Sequence, residues 1–229
     1  MGDMVERLFN NFRLFDFERL FNIKLNICSK KVNPMANVAK YDRDEVVRKA
    51  MLLFWEKGFN GTSTRDLQQD IDMRPGSIYA AFGSKEGLFS EALEYYSREM
   101  KQILDLRSTE LQSPLAGLEA FMRNVVVDRR DTNPSEFCML VKTLSELNED
   151  QPELMQQTRK LLKRTEDRFT DILERAQKQD EISASANPRM LAQQLQVQMI
   201  GLRAFMKANR NPNTVSELID SIFSSIRIH

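Results

Sequence analysis

Four prolines divide the second half of the chain into long segments, and this pattern constrains the fold more than any other feature. They occur in Ser113-Pro114, Asn133-Pro134, Gln151-Pro152 and Asn187-Pro188, each followed by a stretch rich in good helix formers. Proline is tolerated at the first position of a helix, where its missing N–H would be unpaired in any case. Ser and Asn are favoured N-caps. The pattern therefore predicts that a helix follows each proline.

Hydrophobic periodicity extends this prediction to an all-α fold. With 8 glycines and 7 prolines, the chain has few of the residues that form the tight turns of a β-sandwich. Asp42-x-x-Glu45 resembles a capping box at the start of the first helix. The β-branched run at 125–127 keeps a helical period, which indicates buried helix. We predict nine helices, at about 42–58, 64–71, 75–82, 84–106, 114–130, 134–149, 152–179, 188–209 and 214–227.

Composition argues against most kinds of enzyme. The only histidine is His229, so one subunit cannot form a His-based triad or a multi-His metal site. The chain has no GxSxG, GxxxxGK[ST] or GxGxxG motif. Lys+Arg and Asp+Glu are both 33, so net charge neither favours nor disfavours a nucleic-acid partner. We expect no catalytic residues, no cofactor and no metal.

The cellular location is also constrained. No apolar run approaches the ~20 residues of a membrane-spanning helix, and charged residues interrupt the N-terminal stretch, unlike in a signal peptide. Cys28 and Cys138 are too few for a disulfide framework, which fits a reducing compartment. We expect a cytoplasmic protein with no membrane partner.

Residues 1–34 differ in composition from the rest of the chain. They contain five of the 14 phenylalanines, and the sequence from Met35 resembles a short basic lead into a first helix. We interpret 1–34 as an N-terminal extension that is either disordered or not native. The alternative is an amphipathic arm that docks on the remaining chain.

The segment 42–89 has the pattern of a helix-turn-helix. Its first helix would place Val46, Ala50 and Phe54 on one apolar face, and Gly58 would end it. Two short helices follow, 64–71 and 75–82, joined by a tight turn through Asp72-Met73. Two short helices with such a turn are typical of DNA-binding domains, where the second helix enters the major groove.

The chemistry of these helices suits contact with DNA. Arg74 and Pro75 stand at the start of the second helix, where side chains of a recognition helix reach base edges. Gly76, Ser77 and Ala80 are small enough for close approach, and Tyr79 offers a hydroxyl for phosphate. Thr64 and Arg65 open the preceding helix, and Lys85 the following one, at N-termini that favour a phosphate. The alternative for Arg74, Tyr79 and Lys85 is a solvated or partly buried surface role.

The stretch GFNGTSTRDLQQDIDMRPGSIYAAFGSKEGLF resembles the DNA-binding domain of the TetR family of bacterial regulators. Gly58-Phe59, Thr64, the run 76–79, Phe82 and the run 84–86 match the family pattern in order and spacing. Asp72 stands where the family has a turn glycine, and with Asp66 and Asp70 it makes this surface less basic than DNA binding would favour. The departures put strong non-specific DNA affinity in doubt.

The resemblance implies a homodimer that binds double-stranded, pseudo-palindromic operator DNA and leaves it when a small-molecule effector binds. On this basis residues 35–87 would be the DNA-binding domain, and 88–229 a helical effector-binding and dimerisation domain. The rival hypothesis is a helical interaction or adaptor protein whose helix-turn-helix is only a scaffold. A rarer alternative is a helical enzyme that uses carboxylates.

The last two predicted helices have apolar residues on more than one face, as expected for an intersubunit four-helix interface. The alternative is that both are central helices of a monomer. The predicted interface comprises Leu195, Met199, Leu202, Met206, Leu218, Ile219, Ile222, Phe223 and Ile226.

An apolar effector pocket would be lined by aromatic and aliphatic residues of the same domain, although such residues also form ordinary core. Cys138 could be an electrophile sensor or, more simply, a small buried hydrophobe. The candidates for the pocket are Phe121, Val125, Phe137, Cys138, Leu140, Phe169 and Phe205.

Overall fold

The computed structural model describes residues 42–71, 73–148, 150–209 and 211–228. Residues 1–34, the turn residue Asp72 and His229 therefore lie outside the described residues, as do the predictions made for them. The described ranges form nine α-helices and no strand, which confirms the predicted fold class. In chain order they are α1 (Arg43–Lys57), α2 (Thr64–Ile71), α3 (Pro75–Phe82), α4 (Lys85–Glu110), α5 (Pro114–Arg123), α6 (Met139–Glu146), α7 (Pro152–Lys178), α8 (Pro188–Asn209) and α9 (Pro212–Ile226).

Most helices begin where the sequence predicts an N-cap or a proline at the first position. The carboxylate of Asp42 accepts hydrogen bonds from the backbone N–H groups of Asp44 and Glu45. Ser113 Oγ accepts one from the N–H of Ala116 at 3.0 Å, directly before Pro114. Because these donors have no partner within the helix itself, each cap stabilises the start of a helix by about 1 kcal/mol.

The prediction of a helix over 134–149 was wrong at its first turns, because α6 begins only at Met139. The indole N–H of Trp55 donates to the backbone carbonyl of Phe137 at 2.7 Å, and Cys138 has extended backbone angles. The Phe137 carbonyl therefore accepts a tertiary hydrogen bond instead of one from a backbone N–H within a helix. The predicted helix 114–130 also differs, since it ends as a π-helical turn over Asn124–Asp128.

The described helices bury two apolar clusters. The first cluster joins α1, α2 and α3 to the N-terminal half of α4, to α6 and to the start of α7. The second cluster lies among the rest of α4, α5, α7, α8 and α9. The predicted domain boundary at 87/88 falls inside α4, whose residues Leu88 and Phe89 pack in the first cluster. This division of the chain stays a prediction.

In the described part of the chain, no helix is both long and apolar enough to cross a bilayer.

Candidate nucleic-acid interface and ligand cavity

Helix α3 has one buried and one exposed face. Ile78 and Phe82 pack inward with Leu67 and Ile71 of α2. Gly76, Ser77, Tyr79 and Ala80 lie on the exposed face, and Arg74 is exposed just before the helix. Pro75 begins the helix, but its side chain lies outside the described residues. The helix therefore presents a surface of mostly small residues, with a cation at its start.

Two hydroxyl groups meet where α2 approaches α3. Thr64 Oγ1 lies 3.4 Å from the hydroxyl of Tyr79, and the Tyr79 side chain is 44% exposed. Arg65, the next residue of α2, is also exposed. A large aromatic ring with so much exposure does little for the core, so its placement suits a polar partner outside the chain.

The N-terminus of α2 already holds a negative charge. Ser63 and Asp66 exchange hydrogen bonds in a reciprocal cap, and Lys57 Nζ lies 2.6 Å from the Asp66 carboxylate. The hydrogen bond from Lys57 holds the pKa of Asp66 well below its usual range, helped by those from Ser63. A phosphate near Thr64 would therefore meet this carboxylate as well. The Ser-x-x-Asp spacing is the signal in the sequence that could have predicted this cap.

The cation at the start of α4 is partly withdrawn from water. Lys85 Nζ lies 4.4 Å from the centroid of the Phe59 ring. Burial lowers the pKa of Lys85, although Glu86 and Asp66 act in the opposite direction. The contact holds the ammonium over Phe59, within electrostatic reach of Asp66 in the first turn of α2, so it can meet an anion without first losing much conformational freedom.

Arg43 is a structural residue that the sequence analysis missed. Its guanidinium donates to the carbonyl of Ala81 at 3.1 Å, lies 4.3 Å from the ring centroid of Phe82 and pairs with Glu91. It therefore joins α1 to the C-terminal end of α3 and to α4. The signal in the sequence, a basic residue in the first turn of α1, does not point to any of these partners.

Polar contacts connect the end of α1 to the segment 137–146, and we call this set the joint. Lys142 Nζ donates to the carbonyls of Trp55 and Glu56 at 3.1 and 2.6 Å. The N–H of Phe59 donates to the Glu146 carboxylate at 3.0 Å. Lys142 thus binds two carbonyls in the last turn of α1, where the helix has no donor for them, and Glu146 binds the N–H of Phe59 just after that helix.

Two glycines with positive φ, Gly58 at the joint and Gly83 after α3, offer a test of this packing. Both have positive φ, +80° and +78°, so alanine at either position should cost about 1–3 kcal/mol. A Cβ on Gly83 meets nothing within 4 Å, whereas one on Gly58 would overlap the Glu146 carboxylate. That carboxylate must then leave the N–H of Phe59. The loss of that hydrogen bond should add about 1 kcal/mol to the backbone cost of Gly58→Ala in urea denaturation, and Gly83→Ala should carry no such addition.

The double variant decides whether this extra cost arises from Glu146. In a Glu146→Ala background, Gly58→Ala should cost about 1 kcal/mol less than in the unaltered chain, because the overlapping group is gone, whereas the cost of Gly83→Ala should not change. An extra cost that persists in this background would show that the clash at the joint is not its source.

An apolar cavity of about 40 Å³ lies among α4, α5, α6, α7 and α8. Four of the predicted pocket residues line it: Phe121, Val125, Cys138 and Leu140. This volume has room for only a few water molecules, whereas ligand sites usually measure about 300–1,000 Å³. The wall includes Met100 and Met199, unbranched side chains that can change rotamer to admit a larger molecule.

Three of the residues predicted for the pocket, Phe169, Phe137 and Phe205, do not line this cavity. Phe169 is fully buried in the second cluster and packs edge-on against Phe121, with centroids 5.9 Å apart. Phe137 lies under the ammonium of Lys207, at 5.1 Å from its ring centroid. Phe205 is exposed on α8. Helical spacing predicts that an apolar residue faces inward. It does not identify which neighbouring residues or which cavity that side chain contacts.

Cys138 contacts the polar group of a buried tyrosine. The hydroxyl of Tyr96 donates to Cys138 Sγ at 3.4 Å, and both residues line the cavity. Burial raises the pKa of the Tyr96 phenol, with a smaller contribution from Cys138. Tyr96 therefore stays neutral and provides one of the hydrogen-bonding groups in a mainly apolar wall.

The predicted dimer interface needs correction. Leu195, Leu202, Met206, Ile219 and Phe223 are buried inside the subunit, because these faces of α8 and α9 pack on the second cluster. Met199 lines the cavity, and Ile222 and Ile226 are half-buried. Of the predicted set, only Leu218 is exposed.

Helix α8 nevertheless has a second apolar face, which we call the outer face. Val197 is 69% exposed and Met190 is 52% exposed, and Phe205 is also exposed. Gly201 and Ala204 are exposed along the same side, and Leu218 is an exposed large apolar residue of α9. Large apolar side chains alternating with small ones suit the close approach of another helix.

Comparison with known proteins agrees with this architecture. The family model described as "Bacterial regulatory proteins, tetR family" matches residues 46–92, and that described as "Tetracyclin repressor-like, C-terminal domain" matches residues 114–222. The HTH-type transcriptional repressor ComR of Escherichia coli is 31% identical over 127 residues, which cover 54% of this chain but only 58% of ComR. The HTH-type transcriptional regulator YezE of Bacillus subtilis is 24% identical over 187 residues, covering 81% of this chain and 96% of YezE.

A solved structure has the same fold and a moderate sequence similarity. A double cysteine mutant of the TetR family transcriptional regulator CifR, complexed with 26-base-pair operator DNA, is 26% identical with a TM-score of 0.70. The match covers 81% of this chain and 97% of CifR. Together, the two family models span both the helix-turn-helix and most of the helical segment that follows it. The chain therefore belongs to the TetR family of bacterial helix-turn-helix transcriptional regulators, which are DNA-binding proteins rather than enzymes.

Proposed function

We propose that this regulator is a cytoplasmic repressor that binds a pseudo-palindromic operator as a homodimer and is released by a small-molecule effector. The observation that carries the proposal is the exposed face of α3, where Arg74 and Tyr79 are exposed together with small residues and the half-buried Lys85 follows at the start of α4. The relatives support it, since ComR is named a repressor and CifR was solved with operator DNA.

Each residue of this DNA-binding surface has a role that follows from its chemistry. Thr64, Arg65, Tyr79 and Lys85 contact phosphates, which position the protein without reading sequence. Arg74, at the start of α3, reaches a base edge, where a guanidinium can bind the O6 and N7 of guanine. Gly76, Ser77 and Ala80 bring the backbone of α3 close to the groove, and Pro75 starts the helix there.

The outer face of α8, with Leu218 of α9, forms the dimer interface. It holds the large apolar side chains that are exposed on these two helices, and their burial by a second copy would remove them from water. A two-fold dimer then places two α3 helices in successive major grooves, ~34–36 Å apart. The half-buried Ile222 and Ile226 border this interface.

Two helices connect the cavity to the DNA-binding surface. Helix α4 carries Lys85 at one end and Tyr96 and Met100 in the cavity wall. Helix α6 contributes Leu140 to the cavity and holds the end of α1 through the joint. An effector that widens the cavity therefore shifts helices that also hold the DNA-binding helices, and it favours conformers in which the two heads no longer fit the operator.

Operator binding tests the proposal directly. The full chain should bind the DNA upstream of its own gene in a gel-shift assay and should be displaced when an effector is added. The adaptor hypothesis, in which the helix-turn-helix is only a scaffold, expects no preference for this DNA over an unrelated fragment of equal length.

Single substitutions should separate phosphate contacts from base contacts. Lys85→Ala should weaken binding to all DNA sequences about equally and reduce the salt dependence by roughly one contact. Arg74→Ala should relax operator preference, at a cost of ~1–3 kcal/mol if Arg74 binds a guanine. Fluorescence anisotropy at several salt concentrations, with operator and unrelated DNA, measures both effects. A Lys85→Ala variant that alters sequence preference, with Arg74→Ala unchanged, would reverse the two assignments.

A further inference from the structure

A buried cation lies in the wall of the apolar cavity. Arg203, on α8, is only 6% exposed and lines the cavity with Met199 and Ile200. Its Nη2 donates to the backbone carbonyl of Val125 in the π-helical turn, at 2.8 Å. Among the described residues, the carboxylates that form ion pairs do so with other cations, such as Glu119 and Asp220 with Arg123, and none pairs with Arg203. A guanidinium has five N–H donors, so one hydrogen bond leaves most of its capacity unused.

The charges around Arg203 do not neutralise it. Burial lowers the pKa of Arg129, and the positive charge of Arg203 acts on Arg129 in the same direction. Glu99 acts on Arg129 in the opposite direction, and burial raises the pKa of Glu99 itself. The cations that act on the Glu99 carboxylate are Arg98, Arg129 and Arg48. The nearby groups Tyr96 and Cys138 supply only neutral polar atoms.

A buried charge without a counter-charge is unfavourable, and an anion that enters its site relieves that cost. A carboxylate suits a guanidinium best, because the two planar groups form paired, charge-assisted hydrogen bonds. The rest of the cavity wall is mainly apolar and favours an apolar chain. We propose that the effector is an organic monoanion whose carboxylate pairs with Arg203 and whose apolar tail packs between Leu162 and Met199. This inference rests on the proposed function, because it takes the cavity as the effector site.

The competing explanation is that Arg203 has a purely structural role, holding α8 to the π-helical turn through Val125. In that case the charge of a ligand's head group would not affect its affinity. Ligands with the same tail and different head groups distinguish the two explanations.

The experiment uses the full chain without DNA and three eight-carbon probes: octanoate, 1-octanol and octylamine. Trp55, the single tryptophan, packs edge-on against Tyr96 at 5.0 Å, and Tyr96 lines the cavity. Its fluorescence should therefore report ligand entry. We expect octanoate to bind about 10- to 100-fold more tightly than octanol, as expected for a hydrogen bond to a charged group, and octylamine to bind most weakly. Equal affinity for octanoate and octanol, or no binding of octanoate, would overturn the inference.

Substitutions of Arg203 test whether this residue causes the preference for octanoate over octanol. Arg203→Met should remove it, and Arg203→Lys should keep part of it because the charge remains. Arg164→Met is the matched control, since Arg164 is exposed and pairs with Glu94 at 2.9 Å, so it should keep the full preference. If Arg203→Met does not fold, the comparison of Arg203→Lys with the unaltered chain still applies. A preference unchanged in a folded Arg203→Met variant contradicts the inference.

The outcome is separable from that of the proposed function. Operator binding by the unaltered chain is measured without any ligand. If the chain binds operator but shows no preference for octanoate, the inference about the effector fails and the repressor function stands. If octanoate binds through Arg203 but no operator is bound, the repressor function fails and the charge preference stands.

Discussion

Val197→Glu should convert the dimer into a monomer and remove tight operator binding. Val197 is the most exposed large apolar residue of the outer face, at 69%, so glutamate there should change the stability of an isolated subunit by less than about 0.5 kcal/mol. In the dimer the same glutamate would be buried without a partner, twice because of the two-fold axis. An uncompensated buried charge costs about 3–5 kcal/mol, which weakens association by a factor of at least about 100. Light scattering and anisotropy with a full operator measure the two losses.

Leu106→Glu provides the control for this substitution. Leu106 is 40% exposed on α4, so Leu106→Glu makes the same change from an exposed aliphatic side chain to a carboxylate. It should leave both the dimer and operator affinity unchanged. A Val197→Glu protein that remains dimeric, or a monomer that still binds the full operator tightly, would contradict the placement of the interface on the outer face.

The helices were predictable from sequence because their signals are local. Asp42 and Ser113 cap helices through bonds to N–H groups two or three residues away, and Pro152 and Pro188 start helices where expected. The failure at Pro134 has a non-local cause. Trp55, 82 residues distant in sequence, binds the Phe137 carbonyl, and no pattern within 134–149 indicates that bond.

The residues of the candidate sites also divide into those that local sequence patterns predict and those that they do not. The exposed face of α3 could be predicted, because Ile78 and Phe82 must face the core and so Tyr79 must face outward. The residues that line the cavity could not be predicted. Phe121 and Phe169 have the same chemistry and pack against each other, yet only Phe121 lines the cavity. Two apolar faces on α8 also gave an ambiguous signal. The face through Leu195 proved to be the inner one, leaving the face through Val197 exposed.

Phe169→Ala should destabilise the fold strongly, which distinguishes a core residue from a cavity-lining residue. The Phe169 side chain is fully buried in the second cluster and touches Phe121 edge-on. Its removal loses apolar burial and leaves a void in a closely packed layer, at a cost of about 3–5 kcal/mol. Phe137→Ala makes the same truncation at a half-buried ring that Lys207 covers, so we expect a cost below about 2 kcal/mol. Urea denaturation followed by circular dichroism, at one protein concentration for all variants, measures both changes. Equal costs for the two truncations would place Phe169 in a site that tolerates empty space, as the wall of a ligand pocket does.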